Sequence, residues 1–311
     1  MKKIAIVSCN KWKNKIEEDK LLQNALIQSG YNADIISWED ADVNYDEYIA
    51  LVLRSVWGYQ NNYLEFKTWL NMIKQSQILL LNSPELVSNN IRKDKQFELL
   101  AKYEIPIIPT EFIYKLEDLF NDIKFDEKKP KVLKPIISGS GENTFLVDSS
   151  ESLYTDKIIK PFEKIIKCED NGIMLQPYIG EVKNGEFACI YIDGVNTHNM
   201  MRYPGIFANR KKPVYLTNIP EAVKKLADKV SKVEEYSNHL YMRIDIVLHN
   251  NKPMIMEVEL AEPDLLFKFI PDEKMKNESV NHFAKKLIRR IEKWKHYCIL
   301  KNMSQICHMH Y

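Results

Sequence analysis

Two neighbouring apolar runs carry charged residues at alternate positions. In 242–248 these are Arg243 and Asp245; in 254–260 they are Glu257 and Glu259. Alternation with period two marks a strand with one buried face. Between the runs, His249-Asn250-Asn251-Lys252-Pro253 is rich in turn residues, so 242–264 reads as a hairpin and its exit. Pairing Leu248 with Met254 across that five-residue connector sets Asp245 opposite Glu257 and Arg243 opposite Glu259. Like charges directly opposite destabilise a sheet. Two readings resolve the conflict. Either the face is solvated, with Arg243 paired to Glu259, or divalent cations sit among the carboxylates. Mg²⁺ takes hard oxygen ligands and is commonly held by a few carboxylates plus substrate phosphates.

Other residues extend the second reading. Val132-Leu133-Lys134-Pro135 ends an apolar run with a lysine, and Ser138-Gly139-Ser140-Gly141 follows. Small residues let backbone N–H groups approach phosphate oxygens, and a lysine neutralises their charge. The spacing is not that of a P-loop. Met174-Leu175-Gln176-Pro177-Tyr178-Ile179 leaves a strand through a proline, and Gly185-Glu186 opens the next one with an acid suited to ribose hydroxyls. Each of these has a plainer reading as a turn, a linker or an exposed side chain. Arg54 closes a buried run, with Trp57 and Tyr59 just beyond. An arginine at the C-terminal edge of a parallel strand can grip a carboxylate with two hydrogen bonds. Alternatively it pairs with a nearby acid while Trp57 caps the core.

The elements that must position these residues are legible in outline. Apolar patterning predicts strands over 3–7, 33–37, 48–53 and 78–81, and helices over 16–28 and 64–73. Such β-α-β alternation implies a parallel sheet covered by helices. No G-x-G-x-x-G follows the first strand, so the dinucleotide fingerprint is missing. Beyond Asn82-Ser83-Pro84 come a helix over 93–103, strands over 131–134 and 173–176, and helices over 116–122 and 153–166. A hairpin over 186–192 and 196–202, a helix over 220–236 and a basic helix over 280–295 complete the outline. The last presents Phe283, Leu287 and Ile291 as a stripe for packing on the body of the protein.

Composition excludes several classes. At 311 residues the chain has room for two or three domains. A net charge of +1 offers no basic field for nucleic acid. The N-terminal apolar run is too short for a signal peptide or a membrane span. Five scattered cysteines without C-x-x-C point to a reduced, cytoplasmic protein. The tail Cys307-His308-Met309-His310 reads as a loose polar terminus rather than a metal site.

In this order and spacing the motifs resemble the ATP-grasp superfamily. Their carriers are Asp94-Lys95, Lys134-Pro135, the glycine-serine loop, Gln176-Pro177-Tyr178-Ile179, Gly185-Glu186, Arg243-x-Asp245 and Glu257-x-Glu259. Within it the chain looks like the prokaryotic glutathione synthetase branch, and is closest to ligases resembling the D-cycloserine-biosynthesis cyclo-ligase. That closer match rests on 52–59 (VLRSVWGY) and 257–265 (EVELAEPDL). The resemblance implies an α/β ATP-grasp fold with a substrate-side domain over 1–84, a central subdomain over 85–178 and a metal-bearing subdomain over 179–311. It implies ATP and Mg²⁺, or Mn²⁺ in its place, and ligation of a small carboxylate to an amine through an acylphosphate, with release of ADP. An ATP-grasp kinase is the alternative. Neither nucleic acid nor membrane is an expected partner; a homodimer is compatible with the pattern. Lys95 and Lys134 would hold phosphates under the loop Ser138, Gly139, Ser140 and Gly141. Gln176, Tyr178 and Ile179 would frame adenine, and Glu186 the ribose. Asp245, Glu257 and Glu259 would ligate the metal, Arg243 and Arg202 would lie by the transferred phosphate, and Arg54, Trp57 and Tyr59 would meet the substrate. The chain departs from common family patterns at Glu259, often asparagine, and at Ala188, often arginine; Arg202 or Arg210 would replace that charge. It has Gly58 where close relatives favour aspartate.

Overall fold

Lys3–Ser8 (β1), Ala33–Ser37 (β2), Tyr48–Leu53 (β3) and Leu79–Leu81 (β4) pair in parallel, in the order β2-β1-β3-β4. Their near-continuous apolar character suits burial on both faces. Helices Glu17–Gln28 (α1) and Tyr63–Gln75 (α2) provide the crossovers. The computed structural model describes residues 3–76, 78–121, 129–139, 141–148, 155–168, 170–203 and 211–308.

Two short helices follow, Pro84–Asn90 (α3) and Lys93–Lys102 (α4), the first opened by Ser83, whose hydroxyl accepts from the Leu86 N–H. A second sheet is antiparallel. Glu111–Ile113 (β5), Lys131–Pro135 (β6), Phe145–Val147 (β7) and Ile173–Pro177 (β8) run in the order β5-β8-β6-β7. Helices Leu116–Asn121 (α5) and Asp156–Ile166 (α6) lie within this part of the chain, and Ile158 and Phe162 of α6 are buried in its core.

A third sheet, also antiparallel, orders Glu186–Ile192 (β9), Val195–Arg202 (β10), Val214–Leu216 (β11), Tyr241–His249 (β12) and Lys252–Glu259 (β13) as β11-β10-β9-β12-β13. Its otherwise open β13 edge is met by the Pro-rich segment after α4: Ile255 N–H donates to Pro106 O at 2.8 Å, and Ile108 N–H donates to Ile255 O at 3.3 Å. Covering an edge removes a template for unwanted pairing. Helix Glu221–Ser231 (α7) packs Val223, Ala227 and Val230 into the core behind this sheet.

The long helix Glu273–His308 (α8) joins the first and third sheets. Its Phe283, Leu287 and Ile291 stripe is buried with Ile4, Ile6, Ile190 and Tyr241. The helix runs further at both ends than 280–295. Its C-terminal side chains, including the Cys307 and His308 of the tail, lie outside the described residues, as does His310. No helix among the described residues is long and apolar enough to cross a membrane.

Candidate active site

The β12–β13 hairpin sets the register of the site, and its turn differs from the sequence expectation. Leu248 pairs with Pro253, not Met254, and His249 pairs with Lys252. Only Asn250 and Asn251 form the turn, with φ of 50° and 61°. Asparagine tolerates this left-handed region, and two such residues make the turn whose twist matches a hairpin. The register is then restored by a bulge between Asp245 and Ile246, so Asp245 does face Glu257, and Arg243 faces Glu259. A bulge sets two residues against one. Met256 is the extra residue. It therefore lines the cavity beside Glu257, while Ile255 joins Val258 in the core.

These side chains line one cavity of about 610 Å³. Arg243 is buried and forks onto Asp245, with Nε to Oδ1 at 2.9 Å and Nη2 to Oδ2 at 3.0 Å. It also donates to Glu259, and Arg202 donates to Asp245. Burial works to raise the Asp245 carboxyl, but the two guanidinium groups outweigh it and hold it below the ordinary range. Burial is likewise outweighed at Glu257, by Lys93 and Lys134. Glu259 behaves oppositely. Burial pushes it up to about 7 against the pull of Arg243, with Glu257 and Asp245 adding repulsion. Glu186, opening β9, is pushed up to about 7 by burial, against Arg202. Its place is set by Gly185, whose φ of +105° admits few other residues and whose missing Cβ leaves room for the Met201 sulfur.

Among the described residues no three acidic, His or Cys side chains are gathered closely enough to cage a metal ion. The donor set still fits a hard divalent cation. Asp245, Glu257 and Glu259 share one face and line one cavity, offering the carboxylate oxygens that such a cation takes.

The second sheet brings the lysine and the apolar end. Val132 and Lys134 project from one face of β6, with Gln176 paired to Val132, and all three line the cavity. Burial lowers the Lys134 ammonium, against the pull of Glu257. Gln176 donates to Thr110 Oγ1 at 2.8 Å. Tyr178, Ile179, Ile108, Val182 and Met256 complete an apolar wall. Ser138, Gly139 and Gly141 line the cavity too, whereas Ser140 and Arg210 lie outside the described residues.

Two expected residues are elsewhere. Lys95 is exposed and pairs with Glu98 at 3.1 Å. Lys93, two residues earlier, is buried and lines the cavity, bonding Glu257 at 2.9 Å and Ser138 O at 2.8 Å. Two residues turn an α-helix by about 200°, so only one of the pair can face inward. Arg54 does not line the cavity either. It is buried against Glu18 at 3.6 Å and donates to Pro263 O at 2.9 Å, its guanidinium over the Tyr241 ring. The pairing alternative for Arg54 is the one realised. Trp57 and Tyr59 do reach the cavity.

Sequence reasoning gave no role to Lys93, Trp12, Glu262 or Asp264, which all line it. Glu262 and Asp264 stand in the 257–265 motif, which was their signal. Burial and the neighbouring Glu259 push the Glu262 carboxyl up to about 8.

Residues 91–291 match the family model of the RimK-like ATP-grasp domain, and residues 4–82 match that of the N-terminal domain of D-cycloserine synthetase DcsG. The cycloserine biosynthesis protein DcsG of Streptomyces lavendulae is 23% identical over 282 residues, covering 85% of this chain and 90% of that protein. The crystal structure of D-cycloserine synthetase DcsG superposes with a TM-score of 0.74 at 21% identity, covering 93% of this chain and 99% of that one. D-alanine–D-alanine ligase from Bacillus anthracis, complexed with ATP, gives 0.63 at 17% identity, covering 96% and 98%. At these identities the superpositions speak for the fold.

Proposed function

This chain belongs to the RimK-like ATP-grasp family, and from that premise, with ATP-dependent ligation as its chemistry, we propose that it joins a small carboxylate to an amine through an acylphosphate. The observation that carries the reading is the meeting, in one cavity, of an apolar wall, the lysines Lys93 and Lys134, and a face of three carboxylates, of which Arg243 and Arg202 hold Asp245, Arg243 holds Glu259 and Lys93 holds Glu257.

Tyr178, Ile179 and Met256 enclose the adenine, with Gln176 at its edge. Glu186 takes the ribose. Lys93 and Lys134 neutralise phosphate oxygens beneath the segment from Ser138 to Gly141. Asp245, Glu257 and Glu259 would hold Mg²⁺, which would supply charge neutralisation on the phosphates. Lys93 and Glu257, paired at 2.9 Å, would be the groups facing the phosphates and the cation respectively. A substrate carboxylate oxygen attacks the γ-phosphorus, the bond to the bridging oxygen breaks, and ADP leaves with that electron pair. The amine lone pair then attacks the acyl carbon, phosphate departs, and the nitrogen loses its proton. Arg243 and Arg202 stand where the transferred phosphate gathers charge. The protein supplies positioning and electrostatic stabilisation, from which phosphoryl transfer gains most of its acceleration. The described cysteines are free, which suits a reducing cytoplasm.

Isotope transfer tests the acylphosphate. With ¹⁸O in the carboxylate of an accepted substrate, one label should appear in the released phosphate. Unlabelled phosphate would exclude the intermediate, and a stable phosphorylated product would make the enzyme a kinase.

A further inference from the structure

The segment after β13 is held by its backbone carbonyls as well as by the buried side chains of Leu260, Ala261 and Leu265. Six successive carbonyls each accept from a different side chain. Leu260 O takes Asn82 Nδ2 at 2.7 Å, Ala261 O the Tyr241 hydroxyl at 2.9 Å, and Glu262 O the Trp57 Nε1 at 3.0 Å. Pro263 O takes Arg54 Nη2 at 2.9 Å, Asp264 O takes Arg243 Nη1 at 3.0 Å, and Leu265 O takes His198 Nε2 at 2.7 Å. The donors come from the first sheet, its connections and the third sheet. A segment clamped this way presents its side chains in fixed positions, which lowers the ordering cost of binding. Arg54 is thereby a positioning residue for the segment.

Glu262 and Asp264 are the side chains so presented to the cavity. Asp264 has a cation, Lys268 at 3.4 Å. Glu262 is 9% exposed and forms no ion pair among the described residues; the buried Tyr59 lies beside it. A buried carboxylate without a cation is costly, so the position favours a partner that arrives with one. The walls around it are aromatic. Trp12 and Trp57 meet edge to face at 6.1 Å, and both line the cavity with Tyr59. Aromatic faces attract cations as well.

We propose that Glu262, backed by Tyr59 and walled by Trp12 and Trp57, is the specificity residue for a protonated amino group on the substrate. The inference rests on the ligase reading and names the substrate class at that site: a small amino acid or similar zwitterion, held by its ammonium at Glu262. Glu262 thus does a different job from Asp245, Glu257 and Glu259, although it lies close to them in sequence.

The test uses the full chain and matched probes. D-serine, L-serine and β-alanine are titrated by calorimetry against their hydroxy-acid counterparts, D- and L-glycerate and 3-hydroxypropionate, with and without the ATP analogue AMP-PNP and Mg²⁺. The wild type should bind at least one amino acid and discriminate against its hydroxy counterpart. Glu262→Gln should weaken that amino acid by roughly tenfold or more, the scale of a charged hydrogen bond, with AMP-PNP affinity retained. Trp12→Leu, at a half-buried loop position, should weaken it by roughly threefold; it guards against a folding failure of the first variant. A wild type that binds none of the amino acids, or binds them no better than the hydroxy acids, would overturn the proposal. So would a Glu262→Gln protein whose loss lies in Mg²⁺ affinity with amine binding intact, since that would class Glu262 with the metal carboxylates. Failure of AMP-PNP to bind would sink the ligase reading instead, while the nucleotide-free titrations would still report on the amine.

Discussion

Lys93 and Lys95 are two positions apart and face opposite ways, and that difference decides which can reach a phosphate. Lys93→Met should weaken binding of Mg-AMP-PNP by tenfold or more, while Lys95→Met should leave it unchanged; calorimetry on both variants checks the pair, and equal effects would contradict the assignment. The expected order of magnitude follows from removing one charged hydrogen bond, about 1.5–3 kcal/mol. Proton binding offers a second handle. Glu186 and Glu262 are raised from 4.5 to about 7 and about 8, burial being the main cause in both. The folded protein therefore keeps protons that the unfolded chain releases above its ordinary carboxyl range. Their contribution to stability is complete below that range and is lost as pH rises through about 7 and 8. This is the reverse of a salt-bridged carboxylate. Melting temperatures taken between pH 5 and 8 should fall less steeply in a Glu186→Gln, Glu262→Gln double variant than in the wild type. Parallel curves would show that neither group titrates in this window.

At the scale of elements, the strands of the first sheet were readable because each is a short apolar run bounded by turn residues, and β2 and β3 have the bounds that the pattern indicates. The hairpin was readable only in part. The cross-strand pairs of Asp245 with Glu257 and Arg243 with Glu259 are those expected, but for a different reason: a two-residue turn and a bulge replace the five-residue connector. Nothing in alternating hydrophobicity reveals a bulge, because the extra residue, Met256, is itself apolar. The inward face of α4 escaped for a related reason. Lys93 and Lys95 are the same residue type, and only the phase of the helix against the cavity separates them. Arg54 was misread because a buried arginine at a strand end suits a ligand and a backbone clamp equally well; the acid that decides, Glu18, is distant in sequence. The turn can be tested by itself. Asn251→Val puts a β-branched side chain at φ 61°, which should destabilise the protein by about 1–2 kcal/mol. Nucleotide affinity should stay the same, since the turn is at the far end of the hairpin from Arg243 and Glu259. Chemical denaturation and calorimetry give the two readouts, and a variant as stable as the wild type would remove the turn's claim on the register.

On the scale of the whole molecule, three sheets supply one cavity. The first contributes the connection carrying Trp57 and Tyr59, the second Val132, Lys134 and Gln176, and the third the carboxylates with Arg202, Arg243 and Met256. Ligands that bridge such parts stabilise the folded state by mass action. AMP-PNP with Mg²⁺ should therefore raise the melting temperature of the wild type by several degrees at a hundredfold excess over its dissociation constant, and Lys134→Met should lose most of that rise at the same concentration. An undiminished rise in the variant would place the nucleotide away from β6. On the ligase reading, ADP should form at this cavity only when two substrates are joined. The direct measurement is chromatographic identification of the nucleotide formed when wild type and Glu257→Gln are incubated with ATP, Mg²⁺ and a library of amino acids. The wild type should produce ADP and phosphate in equal amounts, only with an accepted substrate, and Glu257→Gln should produce neither because an amide cannot replace that carboxylate beside the metal. AMP and pyrophosphate as products, or undiminished ADP formation by Glu257→Gln, would contradict the ligase assignment.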